Sequence, residues 1–149
     1  MKIRWKPLLI QFAISLGVAG LSALSTMNSM GLYQSLNRPP LSPPGWLFGV
    51  VWTILFVLMG LSAYLVWITD SEDKKPALRL YGIQLAVNFV WSILFYWFAF
   101  LWLLLLWVLI IAMIIAFMKV SFPAAMLQIP YLLWVTFAGY LSLFVALLN

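Results

Sequence analysis

The residues of this chain best suited to chemistry are amides and indoles. Gln84, Asn88, Trp91, Ser92 and Phe95 fall at i, i+4, i+7, i+8 and i+11, a spacing that gathers them into one stripe on a helix. Trp52 and Phe56 are four apart and share a face. Tyr131, Trp134 and Ala138 form a third stripe, with Pro130 one turn before Trp134. Rings and amides of this kind stack on flat surfaces and hydrogen-bond to polar edges. An amide in an apolar segment is costly unless it is paired or faces a cavity, so the Gln84–Phe95 stripe is expected to point inward. On spacing alone two readings stay open. One is a pocket for a flat, apolar ligand with a few polar edges. The other is a packed aromatic core with amides as glue between helices.

Other chemistries are excluded by what is missing. The chain has no His and no Cys, which removes disulfides, thiol redox chemistry, thiolate metal sites and imidazole ligands. All three acidic residues, Asp70, Glu72 and Asp73, sit in the solvated stretch TDSEDKKP. No carboxylate, Lys or Arg lies in the middle of an apolar segment, which argues against a coupled proton or ion pump. General acid–base catalysis by His, Asp or Glu is equally absent from those segments. No metal site is expected.

The elements that carry these residues follow from composition. Of 149 residues, 66% are apolar and 7% are charged, against about 25% charged in a soluble domain. The bilayer must therefore act as solvent, and one span needs ~20 mostly apolar residues. The expectation is an all-α membrane protein, a five-transmembrane-helix bundle forming one domain over residues 1–149. The spans are placed at about 7–27, 46–68, 77–98, 101–119 and 122–148. The stretch from Ala77 to Lys119 is about twice the membrane thickness as one helix. It is divided in two, with a turn near Phe98 to Leu101. Pro130 should kink the last span or free a carbonyl. Small residues of the first span (Ala13, Gly17, Ala19, Gly20, Ser22, Ala23) are expected to pack tightly inside the bundle. Its basic start resembles a signal sequence, but the apolar run is too long and lacks a clear cleavage site, so it is read as a retained span.

Residues 28–45 hold four prolines and two glycines, which exclude a regular helix. Leu32, Tyr33, Leu36 and Leu41 make the segment partly apolar. It reads either as a stiff lid over the bundle mouth or as a simple connector. With five spans Lys2, Arg4, Lys6, Lys74, Lys75, Arg79 and Lys119 share one side, and Arg38 alone takes the other. The positive-inside rule then puts the N-terminus inside and the 28–45 loop outside. The net charge of +5 sits at helix ends as headgroup anchors, so no nucleic acid partner is expected. Trp5, Trp46 and Trp67 fit interfacial belts.

Three stretches carry a resemblance: PPGWLFGVVWTILFVLMGLSAYLVW at 43–67, LAVNFVWSILFYWF at 85–98 and PYLLWVTFAGYLS at 130–142. In this order and spacing the chain resembles the TspO/MBR family of bacterial tryptophan-rich sensory proteins and mitochondrial translocator proteins. The likeness covers nearly the whole chain. It implies a five-helix bundle, usually a homodimer, with a pocket beneath the first loop for tetrapyrroles such as protoporphyrin IX and haem. The family's pocket positions match Tyr33, Pro43, Trp52, Phe56, Asn88, Trp91, Phe95, Trp134 and Ala138. No cofactor is implied; a tetrapyrrole is the ligand, and a sensory or regulatory role is the leading expectation. Alternatives are a facilitator of porphyrin or lipid-like ligand transport, and light-dependent porphyrin degradation through Trp52 and Trp134. Otherwise no enzyme is expected. Both tryptophans common in the family's loop are missing, the loop reading Leu32-Tyr33 and Arg38-Pro39-Pro40-Leu41-Ser42-Pro43-Pro44. Nothing basic follows Tyr131 or Tyr140, so the sterol motif of animal members is not matched. Without His or Cys, haem would lack its usual strong axial ligands, and stacking is expected instead. The expected host is a bacterial plasma membrane.

Overall fold

The computed structural model describes residues 2–26, 35, 37, 40–94 and 96–149. Every regular element among them is helical. α1 is Trp5–Thr26, α2 Gly45–Ile68, α3 Lys74–Trp91, α4 Tyr96–Met118, α5 Phe122–Leu127 and α6 Ile129–Leu148. Four stretches are long and apolar enough to cross a membrane: Trp5–Thr26, Gly45–Ile68, Trp97–Met118 and Phe122–Leu148. α3 is shorter and carries Lys74, Lys75 and Arg79 in its first two turns.

The helices pack as a ring. α1 lies on α2, α2 on α5, the α5–α6 pair on α4, α4 on α3, and α3 closes against α1 and α2. α4 shows the pattern most plainly: Leu103, Leu106, Ile110, Met113 and Phe117 are buried. Their spacing alternates three and four, the apolar seam of a packed helix. Its other face exposes Leu101, Leu104, Leu105, Val108 and Ile115, as a lipid-facing surface would.

Polar atoms join the helices where backbone or side chain would otherwise be stranded. Ser62 donates to the Ala124 carbonyl at 2.7 Å, tying α2 to α5. Trp107 Nε1 donates to Thr136 Oγ1 at 2.9 Å between α4 and α6. Lys74 Nζ caps the end of α2 through the Trp67 carbonyl at 2.9 Å and lies 5.8 Å from the Trp67 ring centroid. Cations favour this helix end because its last carbonyls lack helical partners.

The expected turn near Phe98 to Leu101 is corrected: α3 ends at Trp91 and α4 begins at Tyr96. Neither Gly nor Pro stops α3. Ser92 turns its hydroxyl back onto the Phe89 carbonyl, and the amides of Ile93 and Leu94 bond three residues back, to Val90 and Trp91. This tightened last turn ends the helix. Trp102 Nε1 then donates to the Val87 carbonyl at 2.8 Å and pins α4 to the end of α3.

The small residues of α1 are the second correction. Ala13, Gly17, Gly20 and Ala23 are exposed, and a Cβ at Gly17 or Gly20 would meet nothing within 4 Å. Only Gln11 and Ser15 of this helix are buried. The close approach comes from α2 instead. At Gly60 a Cβ would lie 2.7 Å from both Phe12 Cδ1 and Ser15 Oγ. Pro130 acts as expected of a proline in a span: the last span breaks at Gln128 into α5 and α6. Ser121 caps α5 by accepting from the Ala124 amide at 3.4 Å.

Candidate functional site

The three stripes meet in the interior. α2 presents Trp52, with its ring centroid 5.9 Å from Phe56, 5.8 Å from Trp91 of α3 and 6.2 Å from Tyr131 of α6. Tilted and edge-on arrangements at these separations suit the ring quadrupoles. Below the rings lies a hydrogen-bonded triad. Asn88 Nδ2 donates to the Tyr131 hydroxyl at 2.6 Å, and that hydroxyl donates to Gln84 Oε1 at 2.7 Å. All three side chains are buried, so each polar contact replaces a costly orphan.

A second aromatic run continues along α6. Trp134 sits 5.8 Å from Phe48 of α2 and 5.5 Å from Phe137. Tyr140 and Phe144 extend the run. Ala138 is buried one turn beyond Trp134 and belongs to the apolar core. Trp91 Nε1 and Trp134 Nε1 are buried and have no hydrogen-bond partner among the described residues. Indole N–H groups usually find an acceptor when buried, so these two stand out as donors without their usual partner.

Between α2 and α6 the ring of helices leaves a groove of about 390 Å³, lined by Val51, Ile54, Leu55, Pro130, Leu133, Trp134 and Phe137. The lining is apolar throughout. Ile54 and Leu133 are strongly exposed, so the groove reaches the outer surface of the bundle. The size falls within the ~300–1,000 Å³ of small-molecule pockets.

At the loop end, Pro43 is buried just before α2. The loop is fastened to the end of α6. Tyr140 donates to the Pro40 carbonyl at 2.8 Å. The side chain of Asn149 accepts from the Asn37 amide at 3.2 Å and donates to its carbonyl at 2.9 Å. Leu41, beside Pro40, holds a left-handed φ of 71°, which an L side chain rarely adopts.

Residues 10–148 match the model of the TspO/MBR family. The chain belongs to that family. It is 36% identical to the tryptophan-rich protein TspO of Chlorobaculum tepidum, over 95% of this chain and 94% of the relative. It is 40% identical to the translocator protein of Ovis aries, covering 74% and 70%. The tryptophan-rich sensory protein of Cereibacter sphaeroides is 34% identical, covering 74% and 72%. Family membership and the apolar helices together make this an integral membrane protein of all-α fold.

The structure thus brings Trp52, Phe56, Trp91 and Asn88 into one cluster, with Trp134 and Ala138 on the adjoining stretch of α6 and Pro43 at its loop end. Tyr33 and Phe95 lie outside the described residues, as does much of the 28–45 segment read as a lid. Three participants were missing from the expected site. The sequence shows Tyr131 only as part of a stripe, yet its hydroxyl joins two helices. Gln84 shares the Asn88 stripe and pairs with that hydroxyl. Phe48, one turn before Trp52, was signalled by the same four-residue spacing that singled out Phe56.

Proposed function

We propose that this protein binds a flat, largely apolar ligand of the tetrapyrrole type among Trp52, Phe56, Trp91 and Trp134, and serves a sensory or regulatory role. The observation that carries the reading is the position of Trp52, ringed by aromatics from three helices and seated above a buried Asn88–Tyr131 hydrogen bond. Stacking supplies the affinity, and the free indole donors of Trp91 and Trp134 supply polar contacts. Relatives named as sensory proteins support the role. The rings touch one another, so the ligand enters by parting them, and the family position Pro43, buried just before α2, adds to the site.

The same reading takes α3 as a fifth crossing. Its 18 residues rise about 27 Å, close to the ~30 Å hydrocarbon core, and its basic first turns reach the headgroups. The N-terminus then faces the cytoplasm of a bacterial plasma membrane, with the 28–45 loop outside and two copies forming a homodimer. A dark titration of purified protein with protoporphyrin IX tests the ligand. Saturable quenching of tryptophan fluorescence is expected, and its absence rejects the site.

The groove between α2 and α6 favours a second reading, exchange of such ligands with the bilayer. Loss of a porphyrin gradient across protein-containing liposomes supports transport; binding without flux supports sensing. Illumination separates both from degradation, which requires repeated turnover that depends on Trp52 and Trp134.

A further inference from the structure

Beneath the aromatic cluster the bundle holds polar side chains that neither its packing nor the proposed ligand accounts for. Gln128 is fully buried, and neither its Oε1 nor its Nε2 has a partner among the described residues. Gln84 is fully buried, with Oε1 held by Tyr131 and Nε2 unpartnered. Gln11 is 4% exposed, and its Oε1 is unpartnered.

Reversing the Gln84 amide does not remove the problem. Tyr131 has one hydroxyl proton, and its oxygen already accepts from Asn88. Turning Gln84 around would only exchange an orphaned donor for an orphaned acceptor.

Their placement is shared. Gln11 is six residues from the start of α1, Gln128 six from the start of α5, Tyr81 seven from the start of α3, and Ser62 six from the end of α2. At 1.5 Å per residue each lies about 9–10.5 Å from the same end of the bundle. Gln84 is one turn further along α3, and Gln128 is one turn before Tyr131. α4 offers no polar side chain at this level: its buried residues there are Ile110, Met113, Ile114 and Phe117, the last with its ring 6.3 Å from that of Tyr81. The Ser62 hydroxyl already donates to Ala124.

We infer that this level of the bundle is an internal water site, a hydrated layer held by Gln11, Gln84 and Gln128 beneath Tyr131. Buried waters characteristically make about three hydrogen bonds to groups that otherwise go unpaired, and buried polar groups are nearly always satisfied. The layer sets a polar floor under the rings, with Tyr131 as the boundary between wet and aromatic halves. It stands whether or not the cluster above holds a tetrapyrrole.

The test is NMR of the full chain in lipid nanodiscs without added ligand, reading magnetisation transfer from water to side-chain NH₂ groups. Gln84 and Gln128 are expected to show water cross-peaks in the wild type. Absence of both overturns the inference, and that result needs no variant. In Gln128→Leu the Gln84 cross-peak is expected to be lost; its full retention in the folded variant overturns a shared layer. Should Gln128→Leu not fold, Gln11→Leu takes its place. Attenuation of the Gln128 cross-peak is then expected, and an unchanged peak overturns the shared layer.

Discussion

The Asn88 side-chain amide donates to the Tyr131 hydroxyl at 2.6 Å, across the gap between α3 and α6. One phenol thereby holds amides on two turns of α3, since it also donates to Gln84 Oε1. Tyr131→Phe keeps the ring and strands both amides. A buried polar group left without its partner costs about 1–3 kcal/mol. The variant should unfold earlier in detergent titration by an amount in that range, with helix content unchanged by circular dichroism. Unchanged stability would mean that the triad contributes nothing.

Gly60 and Gly17 should respond oppositely to the same substitution. A Cβ at Gly60 meets Phe12 and Ser15 at 2.7 Å, whereas at Gly17 it meets nothing. Gly60→Ala should destabilise the α1–α2 contact by about 1–3 kcal/mol, the usual cost of overpacking. Gly17→Ala should leave the monomer fold unaffected. Thermal unfolding of the two variants side by side decides between them.

The α3–α4 turn depends on a tryptophan far from the candidate site. Trp102→Phe removes the donor to the Val87 carbonyl while keeping an aromatic ring. Amide hydrogen exchange should rise at Trp91 to Leu94, where the tightened turn ends α3, and stay unchanged in α1. Equal exchange throughout would show that Ser92 alone sets the turn.

How far the sequence disclosed this arrangement can be judged residue by residue. Helix type, the inward amides Gln84 and Asn88, and the break before Pro130 were legible because period, polarity and a missing N–H act locally. The α3–α4 turn was not, since a serine hydroxyl and a distant indole set it rather than Gly, Pro or charge. The small residues of α1 misled because close approach is decided by both partners, and the required glycine lay on α2. Composition marked Tyr131 as aromatic, but its hydroxyl role needs the geometry of a second helix.

Trp52 and Trp5 should respond differently to substitution. Trp52→Ala should weaken protoporphyrin IX binding about tenfold, as loss of ring contacts worth ~0.5–1.5 kcal/mol each implies. Trp5, 63% exposed at the start of α1, should be replaceable by Phe without effect. Comparable losses at both positions would point to general instability instead of a site.

The most direct measurement is the dark dissociation constant for protoporphyrin IX in nanodiscs, taken for the wild type, Trp52→Phe, Trp134→Phe and Trp5→Phe. Saturable binding is expected, with weaker quenching in the first two variants and an unchanged curve in the third. A wild type that shows no saturable binding, or Trp52 and Trp134 variants that quench like the wild type, would contradict a tetrapyrrole site between α2, α3 and α6.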